Sequence, residues 1–146
     1  VGYSAEAARG GKALNFDEFV GQVQHRAGLP EGGAAVAATR ATLETLAERL
    51  AGGMDENLAA QLPREIGEYL RRAPEESDSF SLDEFFRRVA EREGERLPDA
   101  VYHARVVMEV VREAVAPGLV GKLEDQLPDE FQPLLQAGSG GQMDRG

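Results

Sequence analysis

Residues 15–28, NFDEFVGQVQHRAG, return 66 positions later as residues 81–94, SLDEFFRRVAEREG. Phe16, Phe19, Val20 and Val23 in the first stretch, and Leu82, Phe85, Phe86 and Val89 in the second, stand at i, i+3, i+4 and i+7. That spacing places the four apolar side chains on one face of an α-helix. Asn15 and Ser81 precede the two stripes and each is followed three residues later by a glutamate, Glu18 or Glu84, the pattern of a capping box. Gly28 and Gly94 close the two helices.

The correspondence runs on beyond these helices. After the loop shortens by one residue, an offset of 65 sets Arg40 on Arg105, Glu44 on Glu109, Glu48 on Glu113, Gly53 on Gly118 and Leu58 on Leu123. It also sets Gln61-Leu62-Pro63 on Gln126-Leu127-Pro128 and Leu70 on Leu135. The chain reads as a tandem duplication of a roughly four-helix unit. The second helix of each unit is the long one, over about 33–51 and 98–115, with Val101, Ala104, Met108, Val111 and Val115 at alternating three- and four-residue steps. Pro98 suits a first helical turn. Gly52-Gly53 and Pro117-Gly118 break the chain, and a short amphipathic turn carries Leu58 and Leu62, or Leu119 and Leu123, to the Gln-Leu-Pro signature. Pro63 or Pro128 then starts a last short helix that buries Ile66, Tyr69 and Leu70, or Phe131, Leu134 and Leu135. Pro133 has no counterpart, so this helix is expected to be short or kinked in the second unit.

No segment alternates as a strand does, and the fold class expected is all-α. Repeat 1 spans 15–72 and repeat 2 spans 81–137, joined by a linker at 73–80 that overlaps the polar run RRAPEESDS of residues 71–79; 1–14 and 138–146 read as flexible ends. A unit of about 55 residues is marginal alone, so the two halves are expected to pack as one compact helical domain around a shared core.

Composition narrows the chemistry. The 26 acidic and 16 basic side chains leave a net charge of −10, which repels nucleic acid and anionic membranes at long range. Most of it lies late in the chain: nine acids against six bases over 15–72 give −3, and fifteen against seven over 73–137 give −8. With no cysteine there is no thiolate nucleophile, disulfide or iron–sulfur cluster. His25 and His103 have no second imidazole at metal spacing, so neither a metal site nor a cofactor is expected. No apolar run approaches the roughly 20 residues of a membrane span, and a cytoplasmic location with no membrane partner is the expectation. Lys12 and Lys122 are the only lysines, a bias that, with the abundance of Ala, Gly, Glu and Arg, fits a GC-rich bacterial genome.

The doubled Asp-Glu-Phe helix, the arginine on each long helix and the repeated Gln-Leu-Pro resemble the bacterial family known as domain of unknown function 2267. The resemblance covers about Phe16 to Gln136. It implies a helical bacterial protein with no assigned activity, and it carries no site residues onto this chain.

Candidate binding residues come from the repeat itself. Gln61 and Gln126 either line a groove or bond exposed backbone at a helix junction. Arg40 and Arg105 either clamp an anion across a pseudo-twofold or pair with Glu44 and Glu109 one turn away. Arg87 and Arg88, with Arg72, Arg92 and Arg96, could form a basic stripe for phosphates, but the interleaved Glu91, Glu93 and Glu95 favour a solvated, salt-bridged face. Asp17-Glu18 and Asp83-Glu84 are read as helix caps. No catalytic set emerges. The leading expectation is a non-enzymatic interaction or regulatory module whose seam groove or uncovered apolar helix face binds a protein partner or a second copy. The alternatives are a nucleic-acid regulator using the arginine-rich helix and a small-ligand binder or enzyme with its site between the repeats.

Overall fold

The computed structural model describes residues 14–72 and 76–136. The flexible ends expected at 1–14 and 138–146, apart from Leu14, and the linker residues Ala73–Glu75 lie outside the described residues. Among the described residues there are eight α-helices and no strands. They are α1 (Phe16–Ala27), α2 (Gly32–Arg49), α3 (Met54–Ala59) and α4 (Arg64–Leu70) in the first half. The second half holds α5 (Leu82–Glu93), α6 (Leu97–Ala114), α7 (Pro117–Gln126) and α8 (Gln132–Gln136), with a 3₁₀ turn at Asp129–Phe131 before α8.

The paired elements begin for the same local reasons. Asn15 Oδ1 accepts from the Glu18 amide at 2.8 Å and Glu18 Oε1 accepts from the Asn15 amide at 2.9 Å, closing a full capping box on α1. Ser81 caps α5 from one side only, its hydroxyl accepting from the Glu84 amide at 3.1 Å. The Glu84 carboxylate turns instead to Arg87 and Arg88. Gly28 and Gly94 end α1 and α5 in left-handed backbone, with φ of 67° and 75°.

α1 and α5 are each 12 residues long, and α2 and α6 are each 18. The expected stripes are buried: Phe19, Val20 and Val23 in α1, and Leu82, Phe85, Phe86 and Val89 in α5, with Phe16 half-buried. α1 packs against both α2 and α6, and α5 packs against both α6 and α2. Each short helix thus bridges the two long ones, and the buried side chains of both halves form one cluster. The long helices therefore bury more than one stripe. α2 buries small residues on several faces, Ala35, Ala38, Ala41 and Ala47 with Thr39, Thr42 and Thr45, and Thr39 and Thr45 return their hydroxyls to the carbonyls of Ala35 and Ala41 at 2.8 Å. α6 buries Val106, Val107, Val110 and Val111 as well as Met108.

The halves differ where their helix breakers differ. Gly52 and Gly53, both at positive φ, delay α3 until Met54, whereas Pro117 opens α7 at once, so α3 has 6 residues and α7 has 10. Pro133 has the expected effect: α4 is continuous, and its counterpart is split into the 3₁₀ turn and α8. In α4 the buried residues are Ile66, Gly67 and Leu70. Tyr69 is only half-buried, beneath the Arg72 guanidinium at 5.3 Å.

Candidate functional site at the seam between the halves

Polar contacts across the seam come in equivalent pairs. Gln61 Oε1 accepts from the Ala116 amide at 2.8 Å, and Gln126 Oε1 accepts from the Ala51 amide at 2.9 Å. Both amides lie where a long helix has just ended. Arg26, in the last turn of α1, reaches Glu113 of α6 at 2.7 Å and Glu109 at 3.0 Å. Arg92, in the last turn of α5, reaches Glu48 of α2 at 2.6 Å. These contacts lift the Arg26 pKa, through the Glu113 hydrogen bond against the opposing effect of burial, and depress that of Glu48, through the Arg92 hydrogen bond against burial. The sequence shows the repeat of Arg26 in Arg92 and of Glu48 in Glu113, but not that each pair crosses between halves.

Where the two short helices α3 and α7 meet, the seam opens into a cleft of about 520 Å³. The first half lines it with Asn57, Ala60 and Gln61, and the second with Ala116, Gly118, Leu119 and Lys122. Leu119 is its one buried lining residue, its polar groups are two carboxamides, and its charge is one ammonium that makes no ion pair among the described residues. A second hollow, of about 430 Å³, lies at the end of α1 against Gly21, Gln24, His25, Gly28 and Leu29.

The remaining sequence candidates do not assemble with this cleft. Arg105 donates to the Pro133 carbonyl at 3.1 Å, and Arg40 is exposed on α2. Neither forms the expected bridge one turn along, because Glu44 pairs with Arg72 at 2.8 Å and Glu109 with Arg26. Tertiary partners outcompete the intrahelical ones here. Gln126 does not line the cleft and is engaged with Ala51. Arg87 stays exposed beside Glu84, whereas Arg88 pairs with Glu84, Glu48 and Asp78 and sits 3.9 Å over the Phe80 ring. The arginine stripe is thereby divided between solvent and the α2–α5 contact. The uncovered apolar helix face is not found: among the described residues, Leu97 is the exposed large hydrophobic, at 46%.

The sequence reading placed Glu93 on a solvated face, and the structure corrects this. Its side chain is 3% exposed, with Oε2 2.6 Å from His103 Nδ1 on α6 and Oε1 buried without a hydrogen-bond partner. Burial would lower the His103 pKa, but the Glu93 hydrogen bond, with the charges of Glu93, Glu95 and Asp99, outweighs it and leaves the pKa raised. The signal was in the alignment, since Glu93 and His103 stand opposite Ala27 and Ala38, both core positions. Among the described residues no three His, Cys, Asp or Glu side chains group as metal ligands, and no helix is long and apolar enough to cross a membrane.

A protein family described as "Uncharacterized conserved protein (DUF2267)" matches residues 16–134. No curated protein matches the chain.

Proposed function

Since the chain belongs to the DUF2267 family, whose description assigns no activity, we propose a function from the seam alone: a non-enzymatic module that holds an extended segment of a protein partner in the cleft between α3 and α7. The observation that carries this reading is the lining of that cleft by both halves, where the small side chains of Ala60 and Ala116 and the absence of one at Gly118 leave room for another main chain. Gln61 uses its oxygen on Ala116, which leaves its amino group to donate to a partner carbonyl, and Asn57 offers a second carboxamide. Lys122 selects one carboxylate at the cleft. The net charge of −10 favours a partner that is otherwise cationic. A phosphate-binding reading loses support because Arg72, Arg88 and Arg92 are held by Glu44, Glu48 and Asp78.

The test is site-resolved cross-linking in the native host, with a photoreactive residue at Asn57 in the cleft and, as control, at exposed Arg40. The expected result is a discrete cross-linked protein from position 57 only, lost when Lys122→Glu or Ala60→Arg is added. Equal products from both positions, or a product indifferent to both substitutions, overturns the reading.

A further inference from the structure

We propose that the seam is a self-complementary surface and that a second copy of this chain can complete it, α1–α4 of one chain closing on α5–α8 of the other. The crossings between the halves, rather than the cleft, carry this self-complementarity. Gln61 to Ala116 and Gln126 to Ala51 are the same contact made in both directions, and the residues involved are 65 apart in sequence and identical in type. Arg26 to Glu113 and Arg92 to Glu48 repeat the relation with a charged pair. Contacts in which residue i meets j while the equivalent of j meets the equivalent of i are the mark of an isologous, twofold interface. Such interfaces normally join separate chains.

The packing points the same way. α1 lies on α6 and α5 on α2, so each half completes its core with the long helix of the other. A pair of chains that exchanges halves rebuilds every one of these contacts, including the Asp78 amide on the Glu48 carbonyl at 2.8 Å and Arg49 Nε on the Phe80 carbonyl at 2.9 Å. What differs is only which copy of the chain supplies each half. The balance between one chain and two is then set by concentration against the effective concentration of a tethered half, on the order of 1 mM for a short connection.

Two full-length variants test this in trans. One carries Arg26→Glu and Arg92→Glu, the other Glu48→Arg and Glu113→Arg, so each alone sets like charges against each other at both crossings. Mixed and refolded together, they restore opposite charges at every crossing only by exchanging halves. The expected result is a 1:1 dimer, by light scattering, that melts well above either variant alone. A mixture that behaves as the sum of its components overturns the proposal. Because the variants could fail to fold, wild-type chains with and without an affinity tag are also unfolded and refolded together. Co-capture of the untagged chain is expected after refolding at about 1 mM and not at about 1 µM. No co-capture at the higher concentration overturns the proposal.

Discussion

Gln126 binds Ala51 twice, its Oε1 accepting from the Ala51 amide at 2.9 Å and its Nε2 donating to the Ala51 carbonyl at 3.0 Å. One side chain thus satisfies both backbone groups of the residue that leaves the C-terminal end of α2. Gln61 makes the amide half of the same contact on Ala116, which is more deeply placed.

Removing either glutamine tests how much the seam depends on these contacts. Ala51 is exposed and water replaces much of what Gln126→Ala removes, so the loss expected is about 0.5–1 kcal/mol. Gln61→Ala leaves the half-buried Ala116 amide without its acceptor, for an expected loss of about 1–2 kcal/mol. Urea denaturation should show lower midpoints with an unchanged slope, and the larger shift for Gln61.

The His103–Glu93 pair should make stability depend on pH above the ordinary imidazole value. Because the folded-state pKa of His103 is raised, its stabilisation is complete below the unfolded value near 6.5 and is lost as pH rises through the folded value. Glu93→Ala alone strands a buried imidazole and should destabilise more than the double change Glu93→Ala/His103→Ala, which installs the residues found at positions 27 and 38. In thermal melts from pH 6 to 9, the double variant should lose the wild-type decline and match or exceed wild-type stability at the alkaline end.

Glu48 governs the acid side. Its pKa is lowered chiefly by the Arg92 hydrogen bond, against burial, with further lowering by Arg88. Its contribution is present above the ordinary carboxylate value and lost as pH falls through the depressed folded value. Glu48→Gln should cost about 1 kcal/mol at pH 7, discounted for its partial exposure, and should flatten the fall in stability below pH 4.5.

Two glycines should respond oppositely to alanine. A Cβ on Gly67 would lie 2.8 Å from the Ala59 carbonyl oxygen, so Gly67→Ala must push α4 off α3, a loss of about 1–3 kcal/mol despite better helix propensity. Gly21, inside α1, has nothing within 4 Å of that position, and Gly21→Ala should gain about 0.5–1 kcal/mol. Denaturation midpoints moving in the same direction would refute this account.

The elements were legible because their signals are local. Apolar spacing, Asn15 and Ser81 caps, and Gly28 and Gly94 stops act within a few residues, and the long helices expected at 33–51 and 98–115 are found at 32–49 and 97–114. Pairing was less legible because it is decided between elements. Glu44 and Glu109 have arginines one turn away, yet Arg72 and Arg26 reach them first from other helices. Gly67 shows no pattern in sequence, since what it meets is the Ala59 carbonyl of α3. The cleft is partly anticipated through Gln61, while Asn57 and Lys122 become neighbours only when α3 and α7 meet.

In an assembly of identical subunits every substitution is made on both sides of the axis, and a charge introduced into the core would be introduced twice. Within one chain that constraint disappears. Glu93 and His103 occupy one side, and the equivalent side keeps Ala27 and Ala38 in the core. The second half can therefore carry an ionisable pair into the interior while the first half continues to supply plain packing, and the cost of burying that pair is met once rather than twice.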